Sequence, residues 1–357
     1  MNVEEKIKLI KEVGEEIVEE SELKKLFSKK KNIIAYDGFE PSGKIHIAQG
    51  LLRAININKL TKTGIKFKML VADWHGWANN KMGGDLKKIQ EVGKYFIEVW
   101  KASGMDLNNV EFIWASDLLN NREYWKTVMQ IARNTTVKRI LRCGQIMGRK
   151  EGEVQQASQI IYPCMQAADI FHLKADICQL GMDQRKVNVL AREIGEKIGF
   201  YKPIIISHHM LMGLTSPKST LEGVEKSIEQ KMSKSNPASS IFMTDTKEEV
   251  EGKFRKAYCS EGQVKDNPVL EYCKYIVFEK VSEFVVERDE KFGGDVFFSN
   301  YKDLETAFKK KELHPLDLKK TTSKYINELL EPVREHFRKN KKAKELLERV
   351  SKFEITR

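Results

Sequence analysis

Two short stretches of the sequence carry side chains suited to chemistry at a phosphate group. His46 and Gln49 stand just after a glycine-punctuated segment, and both side chains can donate hydrogen bonds to an anion. Lys231 and Lys234 lie far downstream in a polar stretch, residues 215–240, which we expect to be a mobile loop. Their two charges can neutralise a polyphosphate. A capping histidine and a solvated lysine cluster are the alternatives for each stretch alone, but their pairing predicts one phosphate site.

The segment at 36–50 must position His46. Apolar residues precede it and others recur after it at helical spacing, so it predicts a strand, a tight turn and a helix. Such a crossover points backbone N–H groups at an anion. We expect His46 in the first turn of the helix, with Gln49 on the same helical face.

Part of this segment is similar to the phosphate-binding pattern G-x-x-x-x-G-K, through Gly38, Gly43 and Lys44. The next residue is Ile45, which has no hydroxyl group for Mg²⁺. Pro41 also removes an N–H group from a loop that works by donating them. We therefore reject a phosphate-binding loop of that class.

A polar stripe on an apolar helix predicts a second binding surface. Tyr162, Gln166 and Asp169 are spaced i, i+4 and i+7, so they project from one face of a helix at 162–173. A buried carboxylate costs several kcal/mol unless it is paired. The stripe therefore predicts a polar ligand, and an internal hydrogen-bond network between helix and sheet is the alternative.

The surrounding pattern predicts a parallel, doubly wound α/β sheet, because strands and helices alternate. The expected strands are 67–72, 110–114 and 176–180, and the expected helices are 3–27, 85–103 and the basic stretch 117–150. Ligands bind at the carboxyl ends of such strands, where Tyr36 and Asp73 fall. His75 is either a ligand contact or a satisfied turn histidine, and we favour the latter. The last third predicts a helical domain, with helices at 246–259, 269–281, 304–310 and 316–339.

Composition limits the function classes. At 357 residues the chain suits two domains, and no apolar run approaches the ~20 residues of a membrane span. The first residues lack the features of a signal or transit peptide, so a cytosolic protein is the simplest inference. The five cysteines include no C-x-x-C pair, and the neighbouring His208 and His209 point to opposite faces of a strand, so we expect no metal site.

The charge of the chain is unevenly placed. The net charge is +11, and residues 301–357 hold 16 Lys or Arg against 10 Asp or Glu. A basic C-terminal module suits a polyanion such as RNA. A lysine-rich surface that keeps the protein soluble is the alternative.

The motifs together resemble the class I aminoacyl-tRNA synthetases, whose signatures HIGH and KMSKS stand here as HIAQ at 46–49 and an unaltered KMSKS at 231–235. More narrowly, the chain resembles tyrosyl-tRNA synthetases of the archaeal and eukaryotic type from about residue 33 to 332. The further landmarks are YDGFEPSG at 36–43, YPCMQAAD at 162–169, GMDQRK at 181–186, KFGG at 291–294 and LHPLD at 313–317.

This resemblance implies a Rossmann-like catalytic domain at 1–229, with a helical insertion at about 117–160 for the dimer interface and the acceptor stem. A KMSKS loop at 230–245 and an α-helical anticodon-binding domain at 246–357 follow. The implied reaction ligates L-tyrosine to tRNA(Tyr) through tyrosyl-adenylate. ATP is then a substrate that brings Mg²⁺, no metal is bound by the protein itself, and the enzyme is a cytoplasmic homodimer.

The resemblance also implies roles for individual residues. The tyrosine-binding set is Tyr36, Glu40, Tyr162, Gln166, Asp169 and Gln184. The ATP-binding set is Gly38, His46, Gln49, Lys231 and Lys234, and the catalytic set is His46, Gln49, Lys231, Ser233 and Lys234. The tRNA-binding set is Arg142, Arg185, Lys186, Phe292 and Asp317. Gln49 replaces the usual second histidine and Ala48 the usual glycine, which leaves the role of position 49 open.

Two rival functions stay open. A tryptophanyl-tRNA synthetase shares the fold and the signatures, but an indole has a single N–H donor, for which Tyr36 and Asp169 are not the expected partners. An RNA-binding paralogue without chemistry has no reason to keep His46 and the KMSKS residues. Tyrosine-dependent exchange of pyrophosphate into ATP separates the three functions.

Overall fold

A six-stranded sheet organises the first two thirds of the chain in the computed structural model, which describes residues 1–147, 156–217, 221–234 and 236–353. Its strands are β1 (Gly14–Val18), β2 (Ile34–Phe39), β3 (Lys66–Val71), β4 (Val110–Trp114), β5 (Ile177–Cys178) and β6 (Ile204–His208). Their order across the sheet is β1-β6-β5-β2-β3-β4. All neighbours are parallel except β1, which runs antiparallel to β6. The chain winds from β2 through β3 to β4 and then crosses to β5, so a crevice forms between the carboxyl ends of β2 and β5.

Helices cover both faces of this sheet and make up most of the remaining chain. They are α1 (Val3–Val13), α2 (Glu20–Lys29), α3 (Leu51–Lys62), α4 (Asp73–Ala78), α5 (Leu86–Ala102), α6 (Ala115–Leu119), α7 (Arg122–Arg133), α8 (Val137–Cys143), α9 (Ala157–His172), α10 (Arg185–Ile194), α11 (Gly223–Gln230), α12 (Lys247–Lys256), α13 (Pro268–Tyr272), α14 (Tyr301–Lys309), α15 (Pro315–Lys339) and α16 (Lys341–Val350). No helix of the described ranges is long and apolar enough to cross a membrane. The predicted α/β class is confirmed.

Local sequence accounts for the helices that frame the crevice. The Asp85 side chain accepts a hydrogen bond from the Lys88 backbone N–H and starts α5, whose Ile89, Phe96 and Trp100 are fully buried. Helix α9 contains Pro163 in its second turn, where the missing N–H group removes one intrahelical hydrogen bond. The expected strands at 67–72, 110–114 and 176–180 correspond to β3, β4 and the shorter β5.

The single amphipathic helix predicted at 3–27 is wrong. Strand β1 divides it into α1 and α2, because residues 14–18 complete the edge of the sheet against β6. Gly14 permits this change of direction, since a Cβ atom there would lie 2.9 Å from Ile17 Cγ1 and 3.1 Å from Ile206 Cγ2. Glu19 then adopts a left-handed conformation, with φ of 59°, before α2 begins. Tertiary pairing has overridden a helical pattern.

The last third is not purely helical, because a hairpin of β7 (Phe284–Val286) and β8 (Val296–Phe298) interrupts it. Helix α15 packs on α12, and α16 packs on α5 of the sheet domain. The two parts share one apolar core, in which Phe96 and Leu330 are both fully buried. The C-terminal module is therefore firmly joined to the six-stranded sheet.

Two other expectations change in detail. The stretch 215–240 is not loop throughout, because α11 occupies eight residues before the lysine motif. The basic stretch 117–150 is broken into α6, α7 and α8, and its residues 148–150 lie outside the described residues. Ser235 of the motif also lies outside them.

Candidate active site

A cleft of about 580 Å³ lies at the carboxyl ends of β2, β5 and β6. Its walls gather every residue that the sequence predicted for the amino acid and the phosphates, although these residues come from distant parts of the chain. They are Tyr36, Gly38, Glu40, His46, Gln49, Tyr162, Gln166, Asp169, Gln184, Lys231, Ser233 and Lys234. Asp73 does not line the cleft, contrary to expectation. Its carboxylate instead accepts hydrogen bonds from the Ser116 backbone and the Gln90 side chain.

The Asp169 carboxylate is fully buried at one end of the cleft and is held on both oxygens. Its Oδ1 accepts a hydrogen bond of 2.7 Å from the Tyr124 hydroxyl, and its Oδ2 lies 2.9 Å from His75 Nε2. Burial lowers the pKa of His75, but the Asp169 carboxylate outweighs burial and raises this pKa above its usual value. His75 is thus a partner of a cleft residue, and our expectation of a simple turn histidine is wrong.

The Tyr36 side chain stands beside this pair. Its hydroxyl group is buried, and no described residue meets hydrogen-bonding geometry with it. Burial, reinforced by Cys178 and Asp169, raises the pKa of Tyr36 well above its usual value, so the hydroxyl group keeps its proton. A buried hydroxyl group without a protein partner is costly unless a ligand completes it. This end of the cleft therefore fits a ligand with a hydroxyl group of its own.

The middle of the cleft is lined by amide and carboxylate groups. The Glu40 carboxylate accepts hydrogen bonds of 3.1 Å from Asn79 Nδ2 on both oxygens. Gln166 donates to Gln184 at 3.0 Å, and Gln184 immediately precedes α10. These acceptors suit an ammonium group, which can only donate hydrogen bonds.

The opposite end of the cleft is cationic. Lys231 Nζ lies 2.6 Å from Asp183 Oδ2, and Lys234 Nζ donates to the Ser42 hydroxyl at 3.2 Å. Burial, with a contribution from the charge of Lys81, lowers the pKa of Lys234 to about 7. Burial and the two motif lysines hold the pKa of His46 well below its usual value, so its imidazole is neutral.

His46 does not stand on a helix, which corrects the prediction. Helix α3 begins only at Leu51, and His46 pairs as an isolated bridge with Phe242. The Ile47 N–H donates to the Ile241 carbonyl group at 2.9 Å, and this pairing keeps the backbone extended. His46 and Gln49 therefore reach the cleft from an extended segment and a turn, not from one helical face.

Comparison with known proteins identifies the family. The family model of the tRNA synthetases class I (W and Y) matches residues 28–331. Tyrosine–tRNA ligase 1, cytoplasmic, of Arabidopsis thaliana is 52% identical over 358 residues, which cover 99% of this chain and 90% of that protein. The crystal structure of tyrosyl-tRNA synthetase from Pyrococcus horikoshii, complexed with L-tyrosine, matches with a TM-score of 0.91 and 39% identity, over 98% of this chain and all of that one. This chain belongs to the tyrosyl-tRNA synthetases of class I.

A structure of the Leishmania major tyrosyl-tRNA synthetase in complex with tyrosinol is also similar, with a TM-score of 0.89 and 46% identity. The match covers 99% of this chain but only 53% of the Leishmania chain. The family resemblance drawn from the motifs is thus confirmed at both the sequence and the structure level. Members of this family use ATP.

The residues that are predicted to bind tRNA lie outside the cleft of this synthetase. At the acceptor side, Arg142 is exposed in the last turn of α8, and the thiol group of the next residue, Cys143, contacts the Lys186 carbonyl group. Arg185 forms a bidentate ion pair with Glu16, with Nε at 2.5 Å from Oε2. It is therefore less free to meet a phosphate than Arg142.

The C-terminal module presents the other two predicted tRNA residues. Phe292 is 65% exposed on a turn before Gly293, whose φ of 95° requires glycine. Asp317 lies in the first turn of α15, but the cap of that helix is His314, which accepts from the Leu316 N–H. Asp317 is therefore not the capping residue of this helix.

Sequence reasoning missed several side chains of this site. His75, Tyr124 and Asn79 hold predicted cleft residues, and Asp183 holds Lys231. Tyr124 lies 45 residues from Asp169, so no local spacing could link the two. His75 itself was considered as a ligand contact, because it follows β3 at the carboxyl edge of the sheet, but its pairing with Asp169 was missed.

Proposed function

We propose that this chain ligates L-tyrosine to tRNA(Tyr) with ATP, through a tyrosyl-adenylate intermediate. The observation that carries the proposal is the Asp169 carboxylate, held by His75 and Tyr124 next to the unpartnered hydroxyl group of Tyr36. A substrate phenol can donate its proton to Asp169 and accept from Tyr36. Phenylalanine would leave the buried Tyr36 hydroxyl group unpaired and would bring no donor to Asp169. Strong discrimination of this kind is an established property of tyrosyl-tRNA synthetases.

The amino group of tyrosine is proposed to bind in the middle of the cleft. Tyr162, Gln166, Gln184 and Glu40 supply acceptors there. Burial, followed by the neighbouring Glu40, raises the pKa of Tyr162 well above its usual value, so this phenol stays neutral. The substrate carboxylate then points towards the cationic end of the cleft.

The chemical step is proposed to rely on position and electrostatics. An oxygen of the tyrosine carboxylate attacks the α-phosphorus of ATP, a new P–O bond forms, and the bond to the pyrophosphate group breaks. Lys231, Lys234 and the neutral His46 can stabilise the charge that grows on the phosphates. Gln49 and Ser233 line the same end and can donate hydrogen bonds, and Gly38 leaves room beside the nucleotide. The described residues hold no cluster of three metal ligands, so Mg²⁺ is proposed to arrive bound to ATP.

The tRNA is proposed to contact two regions. Arg142, Arg185 and Lys186 would meet the acceptor end, and Phe292 with Asp317 would read the first anticodon base. An exposed aromatic ring supplies a stacking face, and a carboxylate can accept from the N–H groups of a base. We retain residues 1–229 as the catalytic domain, about 117–160 as its insertion, 230–245 as the KMSKS segment and 246–357 as the anticodon-binding module.

The protein is proposed to be a homodimer whose interface is formed by the insertion. Helices α7 and α8 both pack on α9, and large apolar side chains stand exposed on all three helices. These are Trp125, Met129, Val137, Leu141 and Ile161. Light scattering should give the mass of two chains, and Met129→Lys should shift the protein towards the mass of one. The name of the Arabidopsis relative supports a cytoplasmic location.

The function is tested by tyrosine-dependent exchange of labelled pyrophosphate into ATP. We expect exchange with tyrosine, none above background with tryptophan, and with phenylalanine only slow exchange at high concentration, at a far lower kcat/KM. Exchange with tryptophan instead would assign the chain to the tryptophan enzymes, and no exchange with any amino acid would leave an RNA-binding paralogue. Charging of a tRNA(Tyr) transcript then tests the second step.

A further inference from the structure

His208 ends β6 at the rim of the cleft and has no role in the reaction described above. Its backbone N–H donates to the Leu180 carbonyl group at 2.8 Å, which fixes the residue beside the β5 end. Its side chain is half-buried and lines the cleft. Three buried side chains behind it, Arg53, Gln179 and Asp37, determine what this imidazole can do.

The proton of the His208 ring can be assigned from its neighbours. Arg53 Nη1 lies 2.9 Å from His208 Nδ1, and Gln179 Nε2 lies 3.0 Å from the same atom. A guanidinium group has only donors, so Nδ1 must be an acceptor. The Gln179 amide agrees, because its Oε1 accepts from Arg53 Nη2 and its NH₂ group therefore faces the ring. The ring proton consequently sits on Nε2.

Charge around this network keeps the ring neutral. Burial, followed by Arg53 and His209, holds the pKa of His208 well below its usual value. Arg53 itself is fully buried and stands 3.3 Å from the Asp37 carboxyl group, whose pKa is raised to about 7 by burial. The network thus supplies one neutral N–H donor whose tautomer is fixed before any ligand arrives.

The free face of the ring opens onto the cleft. No described residue bonds to Nε2, and the neighbouring residue is Gly181. A Cβ atom at Gly181 would lie 3.6 Å from Nε2, in van der Waals contact with it, so glycine leaves more room beside this atom than a larger residue would. A ligand atom can therefore reach the Nε2–H group directly.

The position of His208 selects the part of the substrate that it meets. Strand β6 lies two strands from β2, which is about 10 Å at the usual strand spacing. Tyr36 on β2 belongs to the proposed amino-acid end, so an elongated tyrosyl-adenylate that starts there extends its nucleoside towards β6. A neutral donor also suits a hydroxyl oxygen or a ring nitrogen better than a phosphate, which the motif lysines can neutralise.

We infer that His208 donates its Nε2–H to an acceptor atom of the adenosine part of ATP, a ribose hydroxyl oxygen or a purine ring nitrogen. Arg53 and Gln179 are positioning residues that fix the tautomer. The inference rests on the proposed function, and wild-type exchange with tyrosine tests that function separately from the variants below.

Steady-state exchange kinetics of His208 variants test the contact. His208→Phe should raise the KM for ATP about three- to tenfold, the effect of one neutral hydrogen bond, with the KM for tyrosine changed by less than about twofold. His208→Gln should restore most of the ATP affinity, because its amide nitrogen takes the place of Nε2. His208→Asn, whose amide reaches only the Nδ1 position, should not. His336→Phe, which removes a histidine bonded to Glu98 outside the cleft, is the control and should leave both constants unchanged.

ATP analogues identify the acceptor atom. Each of 2′-deoxy-ATP, 3′-deoxy-ATP, 1-deaza-ATP, 3-deaza-ATP and 7-deaza-ATP lacks one candidate acceptor atom. With the analogue that lacks the true acceptor, the KM of His208→Phe should equal that of the wild type. A penalty that persists with all five, an equal rise in the KM for tyrosine, or unchanged constants in His208→Phe would overturn the inference.

Nitrogen NMR tests the tautomer independently of activity. The difference between spectra of ¹⁵N-histidine-labelled wild type and His208→Phe should show a neutral ring protonated at Nε2. A ring protonated at Nδ1, or at both nitrogens at neutral pH, would overturn the assignment. This measurement also needs only the folded protein, so it stands if a variant loses activity.

Discussion

At the α9 end of the cleft, Asp169 and His75 are 1% and 2% exposed, whereas at the loop end Asp183 and Lys231 are 15% and 32% exposed. The first pair is sealed in the fold, and removing one partner leaves an uncompensated buried charge. The second is a partly solvated ion pair of the kind worth about 0–1 kcal/mol. Phosphate oxygens can therefore replace Asp183 as the partner of Lys231 at little cost.

In the proposed function, this difference separates recognition of the amino acid from the chemical step within one cleft. The α9 end, which is proposed to bind the substrate phenol and is called the phenol end below, is preorganised, because the Asp169 carboxylate is oriented before a substrate binds. The loop end, called the phosphate end below, carries lysines whose partners can be exchanged. The charge of these lysines is therefore available to the phosphate groups as their charge grows during the reaction. We expect changes at the first end to alter which amino acid is accepted and changes at the second to alter how fast it reacts.

The largest expected effect is at the phosphate end. Lys234→Ala should lower the rate of adenylate formation by about 10²–10³, the usual loss when one preorganised donor to a developing charge is removed. Lys231→Ala should act in the same direction. The dissociation constant of tyrosine, measured by fluorescence titration, should change by less than about twofold. Weakened tyrosine binding with an unchanged turnover number would reassign the segment to substrate capture.

A smaller effect is expected at the phenol end. Asp169→Asn should lower kcat/KM for tyrosine in exchange by about 10–100-fold, the range for one hydrogen bond to a charged group, while the value for phenylalanine changes by about threefold or less. Leu70, which also lines the cleft, offers a control, since Leu70→Met removes no polar contact. Equal losses for tyrosine and phenylalanine would contradict the role of Asp169. Thermal unfolding of both variants separates lost recognition from lost stability.

A substitution outside the cleft should leave both ends of the cleft intact and affect only the binding of tRNA. Asp317→Ala should reduce charging of tRNA(Tyr) about tenfold and lessen the penalty for a changed first anticodon base, with pyrophosphate exchange unchanged. Asp303→Ala, which removes a carboxylate near the start of α14, is a matched control. Normal charging, or a parallel loss of exchange, would show that the anticodon is read elsewhere.

The phenol end was the more predictable of the two from sequence. Tyr162, Gln166 and Asp169 share a regular helix, α9, so their spacing alone places them on one face. Spacing along the chain could not identify the partners of Asp169, because Tyr124 and His75 reach it from other elements. Propensity and periodicity describe neighbours along the chain, whereas these contacts depend on how helices pack.

The phosphate end was predictable in composition but not in geometry. His46 and Lys234 were identified as a pair, yet the helix expected to carry His46 begins five residues later, at Leu51. The Met243 N–H donates to the Ile45 carbonyl group, and this long-range pairing decides the local conformation. Strand β1 was missed for the same physical reason, since pairing with β6 outweighs its helical pattern.

The smallest expected effect tests the charge at the phosphate end by pH. Lys234 has a pKa lowered to about 7, so it is charged below this pH and loses its proton as the pH rises through it. Since kcat/KM reports the free enzyme, the value for ATP should fall about tenfold between pH 6 and 8. The nearby Lys81 and Glu40 have opposite effects on this pKa, and Asp37, with a pKa raised to about 7 by burial, titrates in the same range.

Lys234→Arg isolates the lysine from these other groups. A guanidinium group stays charged throughout this range, so the variant should lose the part of the decline that belongs to Lys234 while Asp37 and ATP titrate as before. The comparison is the ratio of the two pH profiles, which should change across pH 7. A constant ratio would mean that the charge of Lys234 in the free enzyme does not change over the pH range measured, contrary to its lowered pKa. The cationic end would then be as preorganised as the phenol end, and the contrast between them would rest on exposure alone.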